Sequence, residues 1–201
     1  MKVFCLKTAR LISNISAPLI ISPLIIFLLS GVVATHIGQL KTFLIILLFN
    51  YIAPFSFLFW SIKKGTISDR DITNRKQRYS FYLVGIFSFL LAMLIFYLLS
   101  EQQLLLFLMK ILLIFSLMTG INFFWKISGH TFANSLLVLL LFFRIYGPKL
   151  QSANFSWPVF TFTSLSLILL VSVAWSRVVL KKHTIGQLVA GSLLPWLIVL
   201  L

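Results

Sequence analysis

The chain is poor in acidic residues, histidine and cysteine, and this scarcity excludes several kinds of site. Its 201 residues include three acidic side chains, three histidines and one cysteine. The single cysteine, Cys5, cannot form an internal disulfide or a cysteine-based metal cluster. With so few carboxylates and imidazoles, we expect neither a metal site nor a cofactor.

Hydrophobic residues, in contrast, make up 60% of the chain, and its mean hydropathy is +1.07. Apolar runs long enough to cross ~30 Å of hydrocarbon recur along the whole length. We predict membrane helices at about 16–35, 42–60, 79–99, 103–124, 131–147, 157–176 and 184–201. The predicted fold is all-α: a bundle of six to seven transmembrane helices in a single membrane-embedded domain, residues 1–201.

The net charge of +14 would suit a nucleic-acid binder, but Lys and Arg lie in short segments between apolar runs. There they meet lipid headgroups or phosphate, so we expect membrane lipids and not nucleic acid as partners. Most of the basic residues lie on the side of the membrane that holds the N-terminus. The positive-inside bias places that side in the cytoplasm, which predicts an integral protein of the inner (plasma) membrane. The basic N-terminus resembles a signal peptide without a clear cleavage pattern, so we expect an uncleaved first helix.

Proline and small residues predict two further features of the helices. Pro54 and Pro195 fall inside predicted helices and should kink them. Gly186 and Ala190 form a small-xxx-small pair, which predicts that the last helix packs closely against a neighbour.

The segment SRVVLKKHTIGQ, residues 176–187, lies between two apolar runs and is the first candidate site. His183 and Gln187 are four residues apart, so on a helix they share a face and Gln187 can hydrogen-bond the imidazole. The spacing of Arg177 and His183 favours one helix that ends near Arg177, a short turn, and a helix that His183 opens. A guanidinium and an imidazole aimed at one point suit a phosphate group. The simpler alternative is a positively charged turn between membrane helices.

The connection KKGTISDRDITNRKQRYS, residues 63–80, is the only long polar segment. Arg75 and Arg78, about one helical turn apart, could bind a phosphate with Asp69 or Asp71 orienting them. The alternative is a solvated loop that binds anionic lipid.

A further connection, WKISGHTF, places His130 just before an apolar helix. Ser128 and Gly129 precede it, so backbone N–H groups at the helix N-terminus could approach an anion closely. Lys126 adds positive charge. A histidine at a helix start is more often structural, and that alternative stays open.

The motif SGH at 128–130, followed by SR at 176–177, five residues and His183, resembles two signatures of the type 2 phosphatidic acid phosphatase (PAP2) superfamily. Those signatures are Pro-Ser-Gly-His and Ser-Arg, five residues, His, three residues, Asp. The resemblance covers about residues 60–201. It implies that His183 is the nucleophile for the phosphoryl group, His130 the general acid for the leaving group and Arg177 a phosphate clamp. Ser128 and Gly129 would hydrogen-bond the phosphate oxygens.

Three positions depart from the family pattern. Ile127 replaces the signature proline, and Gln187 replaces the aspartate that would stabilise a charged imidazole. The first signature, Lys, six residues, Arg-Pro, is not matched, so Arg78 is the candidate arginine while Lys64 and Arg75 compete for the lysine role. Lys126 is a further candidate for phosphate binding.

The resemblance implies a metal-independent membrane phosphatase that hydrolyses a lipid phosphate or an isoprenyl diphosphate through a phosphohistidine. The alternative is a membrane protein of the same fold that binds or transports a lipid phosphate without turnover. Gln187 and the incomplete first signature favour that alternative.

Overall fold

The computed structural model describes residues 2–33, 35–146 and 157–200, and within these residues the chain is helical, with no strand. The α-helices are α1 Lys2–Ile15, α2 Pro18–Ser30, α3 Gln39–Leu47, α4 Ala53–Lys63, α5 Arg75–Leu98, α6 Gln102–Phe124, α7 Gly129–Tyr146, α8 Trp157–Val179 and α9 Ile185–Leu193. A π-helical turn, Leu48–Ile52, joins α3 to α4, and a 3₁₀ helix, Leu194–Val199, follows α9. The predicted connection 148–156 lies outside the described residues.

Five of these helical segments are long and apolar enough to cross a membrane: Val3–Ser30, Gln39–Lys63, Arg75–Leu98, Gln102–Phe124 and Thr161–Val179. Two shorter apolar helices, Gly129–Phe143 and Ile185–Val199, complete the set. Their order along the chain is that of the seven predicted spans. The prediction of an all-α membrane bundle is therefore confirmed.

The chain divides into two compact units that alternate along the sequence. The first unit consists of residues 1–28 and 127–196, and the second of residues 29–126 and 197–201. In the first unit α7 packs against α8 and α9, and α1 packs against α8. In the second unit α5 packs against α6, α4 and the π-helical turn.

The helix before the first predicted span was not expected. Residues 2–15 form α1, and small side chains in it and directly after it are buried: Ala9, Ser13 and Ser16 are all at most 5% exposed. The larger apolar side chains, among them Phe4 and Leu11, face outward instead. Small residues that face a neighbour while large ones face lipid are typical of membrane helices. A search for long apolar runs does not detect a helix whose buried side chains are small and whose large apolar side chains are exposed. The first predicted span therefore began at residue 16.

Pro54 and Pro195 lie at changes of helix type. The π-helical turn ends two residues before Pro54, and the α-helix gives way to a 3₁₀ helix at Leu194, next to Pro195. Proline lacks an N–H and crowds the preceding turn, so a change of helix type next to each of these prolines is expected. The π-helical turn also contains Asn50, whose buried amide oxygen and nitrogen have no hydrogen-bond partner among the described residues.

Candidate active site

His183 lies in the turn between α8 and α9, and its ring is held by Gln187. Backbone bonds from Lys182 N–H to the carbonyl of Arg177 (3.0 Å) and from Lys181 N–H to that of Val178 (2.9 Å) close the end of α8. Lys181 has a positive φ of 53°, the left-handed conformation that such a helix end requires. His183 lies two residues after Lys181 and one residue before Thr184, the N-cap of α9. The predicted order of helix, turn and helix is therefore confirmed, but His183 does not open the second helix as predicted, because α9 begins at Ile185 and His183 lies in the turn.

The contacts of Gln187 determine which nitrogen of His183 carries the proton. Oε1 of Gln187 accepts the backbone N–H of Thr184 at 3.2 Å, and Nδ1 of His183 lies 3.2 Å from the same oxygen. Because that oxygen has no proton to donate, Nδ1 must donate. A neutral His183 then has its lone pair on Nε2, the form that a nucleophile needs. The predicted contact between these two residues, four apart in the sequence, is confirmed.

Arg177 and His130 meet inside the first unit. Both are buried, at 2% and 5% exposure, and Nη1 of Arg177 lies 3.3 Å from Nε2 of His130. A guanidinium has only donors, so Nε2 of His130 is the acceptor in this bond. The contact joins the last turn of α8 to the first turn of α7. A charged donor and an imidazole therefore lie side by side.

Ser128 and Gly129 form the start of α7. The hydroxyl of Ser128 accepts the N–H of Thr131 at 3.3 Å, and its own backbone N–H donates to the carbonyl of Gln187 at 3.3 Å. Ser128 thus caps α7 and links it to α9. A Cβ added to Gly129 would meet nothing within 4 Å. The helix N-terminus, a good environment for an anion, is therefore open at this residue.

The close contact of α9 with this loop is made by Gly191. A Cβ at this position would overlap Oγ1 of Thr131 and lie 2.7 Å from the carbonyl oxygen of Ser128. The sequence predicted this packing at Gly186 and Ala190, but Gly186 is exposed. The prediction was wrong in register, because the face of α9 that carries Gln187 and Gly191 meets α7.

Sequence reasoning missed one residue of the site, Ser13 on α1. Nη1 of Arg177 donates to Oγ of Ser13 at 2.6 Å, and the two residues are separated by 164 positions. No motif in the sequence connects them. The burial of serine among large exposed apolar neighbours was the only signal, and it appears only once the helix is built.

Arg78 is the one deeply buried cation among the four phosphate-binding candidates of the second unit. Its Nε donates to the carbonyl of Ile72 at 2.8 Å, and its Nη1 donates to Oδ1 of Asn122 at 3.2 Å. Ile72 has a positive φ of 44°, a strained conformation for a β-branched residue. The backbone is thus strained at Ile72, the residue whose carbonyl binds this arginine.

The other three candidates of the second unit are more accessible. Arg75 is exposed and donates to the carbonyl of Phe124, and Lys64 is exposed with its Nζ 4.4 Å from the centre of the Trp60 ring. Lys126 is partly buried. These contacts do not decide which residue takes the lysine role, so the roles of all four stay predictions.

Asp69 holds the loop before α5. Its carboxylate accepts the N–H and the hydroxyl of Thr73, at 3.1 and 3.0 Å, and the hydroxyl of Ser68 at 3.1 Å. Burial alone would raise the pKa of this carboxyl, but the bonds from Thr73 and Ser68 together lower it. In the part of the chain that the structure describes, no group of three or more His, Cys, Asp or Glu side chains could hold a metal ion.

Comparison with known protein families matches the part of the chain that holds these residues. A sequence model described as "PAP2 superfamily" matches residues 120–201, which contain the start of α7, the end of α8 and all of α9. Searches of curated proteins and of solved structures gave no match. The matched residues include His130, Arg177 and His183. The match over residues 120–201 supports membership of the PAP2 superfamily.

Proposed function

We propose that this protein is a membrane phosphatase that hydrolyses a lipid phosphate or an isoprenyl diphosphate through a phosphohistidine at His183. The observation that carries the proposal is the orientation of His183, whose Nδ1 donates to Gln187 so that its lone pair is on Nε2. The PAP2 match supports the phosphatase class. The apolar helices support a substrate that resides in the membrane.

In the first step, Nε2 of His183 attacks phosphorus, the new P–N bond forms and the bond to the leaving oxygen breaks. The leaving oxygen takes a proton from His130, which must therefore be protonated when the substrate binds. In the structure His130 accepts a bond from Arg177, so we propose that the incoming phosphate takes over this guanidinium. His130 then takes up a proton from solvent, because the cation no longer occupies its lone pair.

In the second step, water attacks the phosphohistidine. Neutral His130 takes a proton from the water, the P–N bond breaks and inorganic phosphate leaves. Arg177 and the first turn of α7 stabilise the charge on the phosphoryl oxygens in both steps, as fixed donors do. The supporting roles proposed for Arg78, Arg75, Lys64 and Lys126 rest on charge and on the family resemblance.

A second function is favoured by one residue. Gln187 sets the tautomer of His183 but carries no charge, so it stabilises a protonated or phosphorylated imidazole less than a carboxylate would. A protein with this site could hold a lipid phosphate without turnover. Binding without hydrolysis is therefore the rival proposal.

Purified protein in detergent, incubated with phosphatidic acid and with isoprenyl diphosphates, separates the two. The phosphatase proposal predicts release of inorganic phosphate from at least one substrate, no release by His183→Ala, and full activity in excess EDTA. Activity is expected to survive the chelator because cationic side chains supply the charge that a metal would supply. Saturable binding of these lipids without release would favour the rival, and loss with EDTA that a divalent ion reverses would remove the histidine mechanism.

The side of the membrane on which this reaction occurs is also a proposal. The excess of basic residues favours the cytoplasmic side for residues 61–78, 125–130 and 177–183. In a variant that lacks Cys5, cysteines introduced at Thr66 and Lys181 should be labelled from the same side. Labelling from opposite sides would contradict the predicted number of spans between them.

A further inference from the structure

We propose that Ser13 is a positioning residue that fixes the guanidinium of Arg177, so that α1 belongs to the active site. The proposal rests on the function proposed above. It extends the site to a residue outside the matched segment 120–201.

The first observation is the bond itself. Ser13 is 5% exposed and Arg177 is 2% exposed, and Nη1 of Arg177 lies 2.6 Å from Oγ of Ser13 and 3.3 Å from Nε2 of His130. One guanidinium nitrogen is therefore directed by two acceptors from different helices. The guanidinium charge strengthens both contacts, and the one with Ser13 is the shorter.

The second observation is that α1 is held at the same place by another bond. The chain breaks its helix before Pro18, and Ile20 N–H bonds to the carbonyl of Ala17 instead of that of Ser16. The carbonyl of Ser16 accepts the side-chain amide of Asn134 at 2.9 Å. That same amide nitrogen lies 2.8 Å from the carbonyl of His130.

These bonds connect the end of α1 to both residues that meet at the site. Ser13 reaches Arg177 directly, and Ser16 reaches the backbone of His130 through Asn134. A long, flexible arginine side chain loses rotamer freedom when it clamps a phosphate, and an arginine that is already fixed loses less. Ser13 therefore acts on the reaction through Arg177 without touching the substrate.

The test compares Ser13→Ala with Ser13→Thr, which keeps the hydroxyl, and with Ser22→Ala as the matched control. The hydroxyl of Ser22 donates at 2.6 Å to the carbonyl of Pro18 in its own helix, so its loss removes a similar bond away from the site. We expect Ser13→Ala to lower kcat/KM about tenfold to a hundredfold, the range of a lost hydrogen bond to a charged group. The loss should appear mainly in kcat, and Ser13→Thr should restore most of it.

A double-mutant cycle distinguishes positioning from a general loss of structure. If Ser13 acts through Arg177, Ser13→Ala should have little further effect in an Arg177→Lys protein, whose ammonium lacks the guanidinium geometry. Independent, multiplicative losses would overturn the proposal. So would a Ser13→Ala protein that keeps wild-type kcat and KM while His183→Ala is inactive, and the proposed function would then still stand.

If the wild-type protein releases no phosphate, the proposed function fails. The role of Ser13 is then tested by the binding of inorganic phosphate. Inorganic phosphate should raise the unfolding temperature of the wild type and of Ser22→Ala, and raise that of Ser13→Ala less. Equal shifts in all three proteins would overturn the role of Ser13. A wild-type protein that neither releases phosphate nor is stabilised by it would overturn both proposals.

Discussion

The two units hold their cationic candidates in different ways. In the first unit, Arg177 and both histidines are buried, and each is bonded to a group from another part of the chain or from the next helical turn. In the second unit, Arg78 is equally buried, but Lys64 and Arg75 are exposed. A buried, fixed cation is ready for a developing charge, whereas an exposed one is screened by solvent. We therefore expect the reaction to depend on Arg177 and the histidines of the first unit, and to depend less on the exposed cations of the second.

The largest expected difference between the units is in the effect of removing a cation. Arg177→Ala should lower kcat about 10²–10³-fold, as the loss of a fixed donor to a charged transition state does. Arg75→Ala should change kcat/KM only a few-fold, because an exposed charge contributes little. Steady-state kinetics measure both, with the exposed Lys76→Ala as the control for general charge loss. Equal losses of activity from Arg177→Ala and Arg75→Ala would show that the burial of a cation does not determine its effect on the reaction.

The second difference between the units is the effect on stability of replacing a glycine by alanine. Gly191→Ala should destabilise the protein by about 1–3 kcal/mol, because the new methyl group would meet Thr131 and the backbone of Ser128. Gly120→Ala, within α6, meets nothing within 4 Å and should stabilise its helix by up to about 1 kcal/mol. Thermal unfolding in detergent measures both. A neutral Gly191→Ala would mean that α9 does not press on the loop before His130.

Gln187→Asp tests, within the first unit, how the residue that holds His183 affects the reaction. A carboxylate at this position would stabilise a protonated or phosphorylated His183, so we expect kcat to rise several-fold, within the ~10² that a tuned acid–base group contributes. The acidic limb of the pH–rate profile should move to higher pH, because the added charge raises the pKa of His183. Gln187→Ala is the control, and it should lower kcat because the tautomer of His183 is no longer fixed. Equal activity of all three proteins would show that position 187 does not act on His183.

The smallest expected effect is in the loop before α5. The bonds from Thr73 and Ser68 lower the pKa of Asp69. Its contribution to stability is therefore present above the unfolded value of about 3.9 and is lost as the pH falls through the lower folded value. Asp69→Asn should lower the free energy of unfolding by less than about 1 kcal/mol at pH 7, since the group is partly exposed. Below about pH 4 the difference from wild type should shrink, and a constant difference would mean that the charge has no part in it.

The sequence predicted those features that depend on short-range spacing. The apolar segments indicated the helices, and the four-residue separation of His183 and Gln187 predicted their contact. The contact between Arg177 and Ser13 could not be predicted, because it joins residues far apart in the chain and its helix, α1, buries small polar residues. The same limit applies to Arg78 and its partner Asn122, and to the packing of Gly191, where local pattern favoured the wrong face of α9.

The central claim, that His183 is the nucleophile, is tested most directly by trapping the phosphoenzyme. Protein mixed with a radioactively labelled nitrophenyl phosphate and quenched in alkali should carry label on His183. His130→Ala should still form this intermediate, because a good leaving group needs little help from an acid, and should hydrolyse it slowly. His183→Ala should carry no label and release no phosphate. A His183→Ala protein with wild-type labelling and turnover would contradict the account.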